Sequence, residues 1–295
     1  MMKYVAFLDI LGFKNKLGSM DQNQAQKFIS NFSRTVYNIF NNYNYCSEYN
    51  GKKVYGYIVS DSIILNTNNS SPESLEELIY MVNEICREEF IQNGILIRGA
   101  IAKGEFDKMP ALELSNLSKE LIVGQAYVDA YLLEGKVKTM GISLREDVYN
   151  DMANLCRCDI SENIFNEKVK GETIYVMRYL TLDLLLEEES LHRYIKFAKD
   201  AEWIPHYYNG IYFAMKSVKK SVKNDRKIEQ VFDKILKIIS EGESKEVWSD
   251  IDLFIENTFS DGVIKEYKTR FLKYLRVKIS KNQSFGDISS DFSLF

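Results

Sequence analysis

Two aspartates stand where chemistry is easier to explain than surface decoration. Asp9 follows the uncharged run Tyr4-Val5-Ala6-Phe7-Leu8 and is itself followed by Ile10-Leu11-Gly12-Phe13. A short, continuous apolar run reads as a strand buried on both faces. A carboxylate there costs several kcal/mol unless it is paired or binds a cation, although an Asp in this place also suits the cap of a following helix. Asp61 lies in Ser60-Asp61, a polar break between the β-rich runs Lys53 to Val59 and Ser62 to Asn66. Those runs read as a hairpin, without the favoured Asn-Gly turn, and by itself Asp61 is an ordinary turn residue. Side by side, two such carboxylates repel unless a cation lies between them. Hard oxygen donors of this kind suit Mg²⁺ or Mn²⁺, with substrate phosphates completing the shell.

The flanking elements are what would bring the two together. Ala25 to Tyr43 has helical apolar spacing, with Asp21 as a candidate N-cap. Ser71-Pro72 opens a second helix, whose apolar face is Leu75, Leu78, Ile79, Val82 and Ile85 and whose end is marked by Gly94. Ile95 to Ala102 is then an apolar strand interrupted by Arg98. The order strand, helix, strand, strand, helix, strand is the split βαβ, ferredoxin-like βαββαβ arrangement, so the fold class expected is α+β, an α/β sandwich. In that topology the first strand and the second hairpin strand are central neighbours, which places Asp9 beside Asp61.

Further on, Gly104 to Asn116 reads as a mobile loop, and a helix is expected from Leu121-Ile122-Val123-Gly124 with Ala126, Ala130 and Leu133 facing inward. A strand at Met140 to Ile142, a helix capped by Ser143 and reaching Leu155, and a strand from Thr173 to Leu180 follow. From Asp183 the pattern turns helical, over Tyr208 to Val222, Lys227 to Ile239, Lys245 to Thr258 and Val263 to Val277, with a polar tail from Gln283. The division expected is residues 1–182 and a helical C-terminal region, 183–295.

Composition narrows the class. Of 295 residues, 45% are hydrophobic and 27% charged, enough for a real core. A net charge of −4 argues against a nucleic-acid partner, and the run Lys216, Lys219, Lys220, Lys223 reads as a solvated helix face. With no long apolar span and no signal peptide, a cytoplasmic protein without a membrane segment is expected. Cys46, Cys86, Cys156 and Cys158 read as reduced thiols. Cys156-Arg157-Cys158 has no second Cys pair, and with only His192 and His206 a zinc site is not expected.

The first 182 residues resemble the class III nucleotidyl cyclase catalytic domain. The resemblance rests on five motifs in order: Asp9-Ile10-Leu11-Gly12-Phe13; Asp61 in the hairpin; Arg98-Gly99-Ala100-Ile101-Ala102-Lys103-Gly104; the stretch Gly124 to Glu134; and Lys170-Gly171. It implies a core shared with palm domains, in which Asp9, Asp61 and the Ile10 carbonyl hold two Mg²⁺ or Mn²⁺ ions per site. Backbone N–H groups of Leu11, Gly12 and Phe13 would cradle the triphosphate, Lys170 would supply phosphate charge, and Lys14 is a weaker candidate. Tyr57 and Arg98 are candidates to face the base; Arg98 reads equally as one half of a structural ion pair. Class III sites form between two catalytic domains, so one domain per chain implies a head-to-tail homodimer. Diguanylate cyclases share the core, but Val59-Ser60-Asp61-Ser62 stands where their Gly-Gly-Asp-Glu-Phe signature would be.

Four departures from the family matter. Its transition-state Asn and Arg fall on Val128 and Leu132, and its purine-reading Lys and Asp fall on Tyr57 and Leu121. Replacing partners that hydrogen-bond a base changes or abolishes base choice. Two readings follow. One is a cyclase similar to the bacterial antiphage Pycsar pyrimidine cyclases, which it resembles in its Asp-Ile-Leu-Gly-Phe and Arg-Gly-Ala-Ile motifs. That likeness implies conversion of UTP or CTP to a 3′,5′-cyclic mononucleotide and pyrophosphate, as an alarm read by a separate effector. The other is a degenerate domain that binds a nucleotide or a protein without turnover.

Overall fold

The computed structural model describes residues 1–45, 53–109, 121–136, 140–155, 163–169, 171–187, 189–200, 211, 214, 215, 218 and 221–240. The chain divides into two compact units. The first is Met1–Phe13 with Met20–Tyr179; the second takes Lys14–Ser19 and the chain from Leu180 onward.

The first unit is built on a mixed sheet. Its strands are β1 (Met2–Ile10), β2 (Val54–Val59), β3 (Ser62–Thr67), β4 (Ile97–Glu105), β7 (Gly141–Leu144), β8 (Ile164–Val169) and β9 (Glu172–Met177). They lie in the order β2-β3-β1-β4-β7-β9-β8. The β2-β3-β1-β4 part, with α2 (Gln22–Tyr45) after β1 and α3 (Pro72–Glu88) before β4, is the ferredoxin-like core expected from the sequence. β1 is antiparallel to both its neighbours, with Asp9 opposite Ser62 on one side and Arg98 on the other.

Strand alternation divides the core into two layers. Val5 and Phe7 pack with Ile64, Ala102 and Phe106 against Ala126 and Ala130 of α4 (Gln125–Glu134). Tyr4, Ala6, Leu8 and Ile10 point to the other face, where α3 contacts β1 and β3 and α2 packs on α3. Both long helices begin as the sequence suggests. Asp21 Oδ1 accepts from the Gln24 N–H at 2.8 Å while Gln24 Oε1 accepts from the Asp21 N–H at 3.0 Å, a reciprocal capping box. Ser71 Oγ accepts from the Ser74 N–H at 3.3 Å with Pro72 in the first turn. A π-turn, Glu89–Asn93, prolongs α3 and ends at left-handed Gly94.

Several boundaries differ from the sequence reading. Leu121–Val123 is not the start of a helix but strand β6, paired with β5 (Asp107–Met109) in a two-stranded ribbon. Gly124 follows at φ 147°, outside helical space, so the helix starts at Gln125. Ser143 is not a cap: it is buried within β7 opposite Val176, and α5 (Glu146–Ala153) begins after extended Arg145. The last strand is shorter than expected, and β8, which the sequence reading omits, pairs with it. Of the loop expected over Gly104 to Asn116, Gly104 and Glu105 continue β4 and Asp107–Met109 form β5, while 110–120 lie outside the described residues.

In the second unit, helices at Leu182–Leu186, Ser190–Asp200 and Val222–Ser240 are described. Leu182, Leu185, Leu191, Tyr194, Val231 and Phe232 are buried. Lys234 Nζ donates to the Leu186 carbonyl at 2.6 Å, and Lys227 pairs with Asp183. The helix expected to end at Val222 falls mostly outside the described residues, as do those over 245–258 and 263–277, the tail from 283, Cys46, Cys156, Cys158 and His206. No helix among the described residues is long and apolar enough to cross a membrane.

Candidate active site

The site is at the C-terminal end of β1. Asp9 shares a face with Val5 and Phe7, so the strand aims its carboxylate into the layer that α4 covers. The β2–β3 hairpin closes against the same strand end: the Ile10 N–H donates to the Asp61 carbonyl at 3.2 Å, and Ser62 Oγ donates to Asp9 Oδ1 at 3.4 Å. Asp9 and Asp61, separated by the whole of α2 and β2, are therefore neighbours. The turn between the strands carries Ser60 at φ 58°, a left-handed conformation rare in a residue other than Gly.

Arg98 lies directly across from Asp9 on β4. Its Nη2 is 3.5 Å from Asp9 Oδ2, and its Nε pairs with Oε1 of Glu134 at the end of α4. This is the ion-pair alternative that the sequence left open beside a base contact. The Glu134 side chain is 7% exposed and that of Asp9 22%. Both carboxyls hold their protons more tightly than usual. For Asp9 the largest cause is burial, then the charge of Asp61, with Arg98 and Ser62 pulling the other way. For Glu134 burial again leads; Arg98 opposes it and the charge of Asp9 adds to it. Ionised, Asp9, Asp61 and Glu134 carry three negative charges. Among the described residues, Arg98 is the cation that bears on Asp9 and Glu134.

That imbalance fits a divalent cation. Two carboxylates and a backbone carbonyl form a hard-oxygen donor set, and the surplus negative charge is what such an ion neutralises. Among the described residues no group of three or more His, Cys, Asp or Glu side chains is placed to hold a metal by itself. An ion here would thus depend on oxygens from a bound phosphate.

Around this centre the other expected residues divide. Tyr57 is opposite Ile64 on β2, on the same sheet face as Asp9, half-buried and packed on the Phe7 cluster, with Lys108 Nζ 5.1 Å from its ring centroid. The Leu11 N–H donates to the Leu96 carbonyl at 2.9 Å, so this donor of the expected phosphate cradle is already engaged. Gly12, at φ 71°, and Phe13 then turn into the short helix α1 (Phe13–Gly18). Lys14 belongs to the second unit. Lys170 lies outside the described residues, although Gly171 beside it is at φ 86°. Val128 and Leu132, where the sequence resemblance would put a transition-state Asn and Arg, are exposed.

Sequence reasoning missed Glu134 and Lys108 as parts of this neighbourhood. A signal for Glu134 was present: it is a charged residue on the face set by Ala126, Ala130 and Leu133, all buried. A carboxylate on such a face needs a partner.

No protein-family model matches the chain, and no curated protein sequence matches it. Solved structures do. A bacterial light-regulated adenylyl cyclase aligns over 68% of this chain and 58% of its own, at 12% identity and TM-score 0.45. The chain thus spans less than two thirds of that protein. The adenylyl cyclase CyaB from P. aeruginosa aligns over 60% of this chain and 93% of its own, at 16% identity and TM-score 0.43. The guanylate cyclase domain of RhGC from Catenaria anguillulae, solved with GTP, aligns over 60% and 96%, at 16% identity and TM-score 0.43.

Proposed function

We propose that residues 1–182 form a metal-dependent nucleotidyl cyclase, a phosphorus–oxygen lyase that converts a nucleoside triphosphate to a 3′,5′-cyclic mononucleotide and pyrophosphate. The observation that carries this reading is the meeting of Asp9 and Asp61 beside a buried Glu134, with more negative charge than Arg98 can balance. Mg²⁺ or Mn²⁺, when bound, would supply Lewis acidity to the ribose 3′-hydroxyl and neutralise the triphosphate.

The chain's own residues have distinct tasks in this reading. Asp9, Asp61 and the Ile10 carbonyl would hold the cations. Gly12 and Phe13 offer backbone N–H groups to the outer phosphates, and Lys170 adds positive charge there. Arg98, expected to face the base, is held by Glu134, and in this reading it would meet the nucleotide once Asp9 turns to a cation. The 3′-hydroxyl gives its proton to water and its oxygen attacks the α-phosphorus, the bond from the α-phosphorus to the α–β bridging oxygen breaks, and pyrophosphate leaves with that oxygen.

A pyrimidine base is favoured because the two purine-reading positions are Tyr57 and Leu121: Leu has no hydrogen-bonding group, and the Tyr ring puts a neutral hydroxyl where an ammonium would donate. Tyr57 offers instead an aromatic wall beside Lys108. A head-to-tail homodimer is supported by α4, whose outer face exposes Val128, Tyr131 and Leu132 while its inner face is already buried. In this reading the product is a cytoplasmic signal to a separate effector, in antiphage defence, and the helical region 183–295 is an accessory. The apolar Val128 and Leu132 also favour a second reading, a domain that binds a nucleotide or protein partner without turnover.

The test is incubation of the purified protein with ATP, GTP, CTP and UTP and Mn²⁺, followed by mass spectrometry. Cyclic UMP or cyclic CMP, reduced at least about 10²-fold by Asp61→Asn, is the expected result. A cyclic purine would keep the enzyme class and remove the reading of Tyr57 and Leu121. No product, with metal-dependent nucleotide binding retained, would favour the second reading.

A further inference from the structure

Behind the sheet, a second carboxyl is buried with no part in the proposed chemistry. Glu89 opens the π-turn, and none of its side chain is exposed. Its Oε2 accepts from Asn93 Nδ2 at 2.8 Å; its Oε1, also buried, has no hydrogen-bond partner among the described residues. Asn93 Nδ2 also donates to Thr35 Oγ1 on α2 at 3.0 Å, so a single amide ties the carboxyl to the neighbouring helix. Gln92 Nε2 donates to Glu88 Oε2 at 2.6 Å. Among the described residues the groups acting on Glu89 include no cation: Asn93 and Thr35 are neutral, Glu88 is a like charge, and the buried Cys86 thiol on α3 is held protonated.

The turn also bears on the site. The Ile95 N–H donates to the Glu89 carbonyl at 3.1 Å and the Gly94 N–H to that of Phe90 at 3.0 Å. Two residues on, the Leu96 carbonyl accepts from Leu11; Ile97 exchanges hydrogen bonds with the buried Tyr179 hydroxyl, and Arg98 follows. A π-turn of this kind is rare and often accompanies a functional position. We propose that Glu89–Asn93 is a proton-operated latch: neutral Glu89 keeps the turn closed, and loss of its proton loosens the 94–97 segment that supports Leu11 and presents Arg98.

The operating range follows from the burial. Desolvation, with Glu88 adding to it and Asn93 opposing, raises the Glu89 pKa to about 8. In an opened turn the carboxyl meets water and returns to its ordinary value near 4.3. The closed form therefore binds the extra proton, and opening is favoured progressively as pH rises between those two values. Above about 8 the closed form is ionised as well and the effect levels off.

Hydrogen exchange on the intact protein tests this without reference to catalysis, so it stands or fails separately from the cyclase reading. After correction for intrinsic exchange, protection of the Gly94 and Ile95 amides, relative to Ala100 in β4, should fall about tenfold per pH unit from pH 6 to 8. Glu89→Gln, which mimics the neutral acid at the same volume, should abolish that slope. Protection independent of pH in the natural protein, or an unchanged slope in Glu89→Gln, overturns the latch. Should the variant fail to fold, carboxyl NMR of the natural protein decides instead. A Glu89 titration near 8 that coincides with levelling of the exchange slope supports the latch, and a titration near 4 removes it.

Discussion

Glu134 and Glu89 are two buried carboxyls in one unit, and desolvation raises the proton affinity of both. Their partners differ. Glu134 faces Arg98, which also reaches toward Asp9, so its charge is part of a shared balance. Glu89 faces an amide and a hydroxyl network, with no cation acting on it among the described residues. Burial by itself therefore does not distinguish a carboxyl of the candidate site from any other. What distinguishes them is whether a cation opposes the cost of burial, as Arg98 does for Glu134, or whether none does among the described residues, as in the π-turn.

The largest effect that would break this contrast concerns Arg98. Arg98→Ala leaves Glu134 and Asp9 without their cation, and breaking a largely buried pair from one side costs about 3 kcal/mol. Replacing both partners, Arg98→Met with Glu134→Leu, should recover part of that loss, because Glu134, the more deeply buried of the two stranded carboxylates, is removed and only Asp9 is left without its cation. Urea denaturation measures both. Equal stability of the single and double variants would mean that Arg98 is not there to balance Glu134.

A smaller effect sharpens the same point. Asp9 must be ionised to hold a cation, and its pKa is raised, so activity should decline on acidification at a pH above the ordinary Asp range. Glu134→Gln removes one negative neighbour and leaves Arg98 to serve Asp9 alone. The acid limb of kcat/KM should then move down by roughly half to one pH unit. Glu89→Gln, away from that balance, should leave the limb in place.

Much of this was legible in the sequence, for identifiable reasons. The end of β1, the hairpin break and the caps at Asp21 and Ser71 are local signals, set by a few neighbouring side chains. From them the order of elements placed Asp9 beside Asp61. The misreadings share the opposite cause. Leu121–Val123 is apolar and continuous with a helix, and only its pairing with Asp107–Met109 makes it a strand. Ser143 suits a cap in isolation, yet tertiary pairing with Val176 holds it in the sheet. Glu89 looks like an ordinary helix-surface acid until the packing of α2 against its turn buries it, whereas Glu134 had a local signal, its place on an apolar helix face, that the sequence reading passed over. Long-range packing decides the cases other than Glu134, and no short window of sequence contains it.

The smallest effect is a control on the electrostatic reading. Ser60 sits beside Asp61 at φ 58°, where a side chain costs about 1–2 kcal/mol that glycine avoids. Ser60→Gly relieves that cost but enlarges the freedom of the unfolded chain by a comparable amount, so stability should change by less than about 1 kcal/mol. No charge is altered by this substitution, and the acid limb of activity should not move. A limb displaced as far as Glu134→Gln displaces it would make hairpin geometry, and not the balance among Asp9, Asp61, Arg98 and Glu134, the determinant of when Asp9 ionises. An unmoved limb, alongside the Glu134→Gln shift, would assign that control to charge.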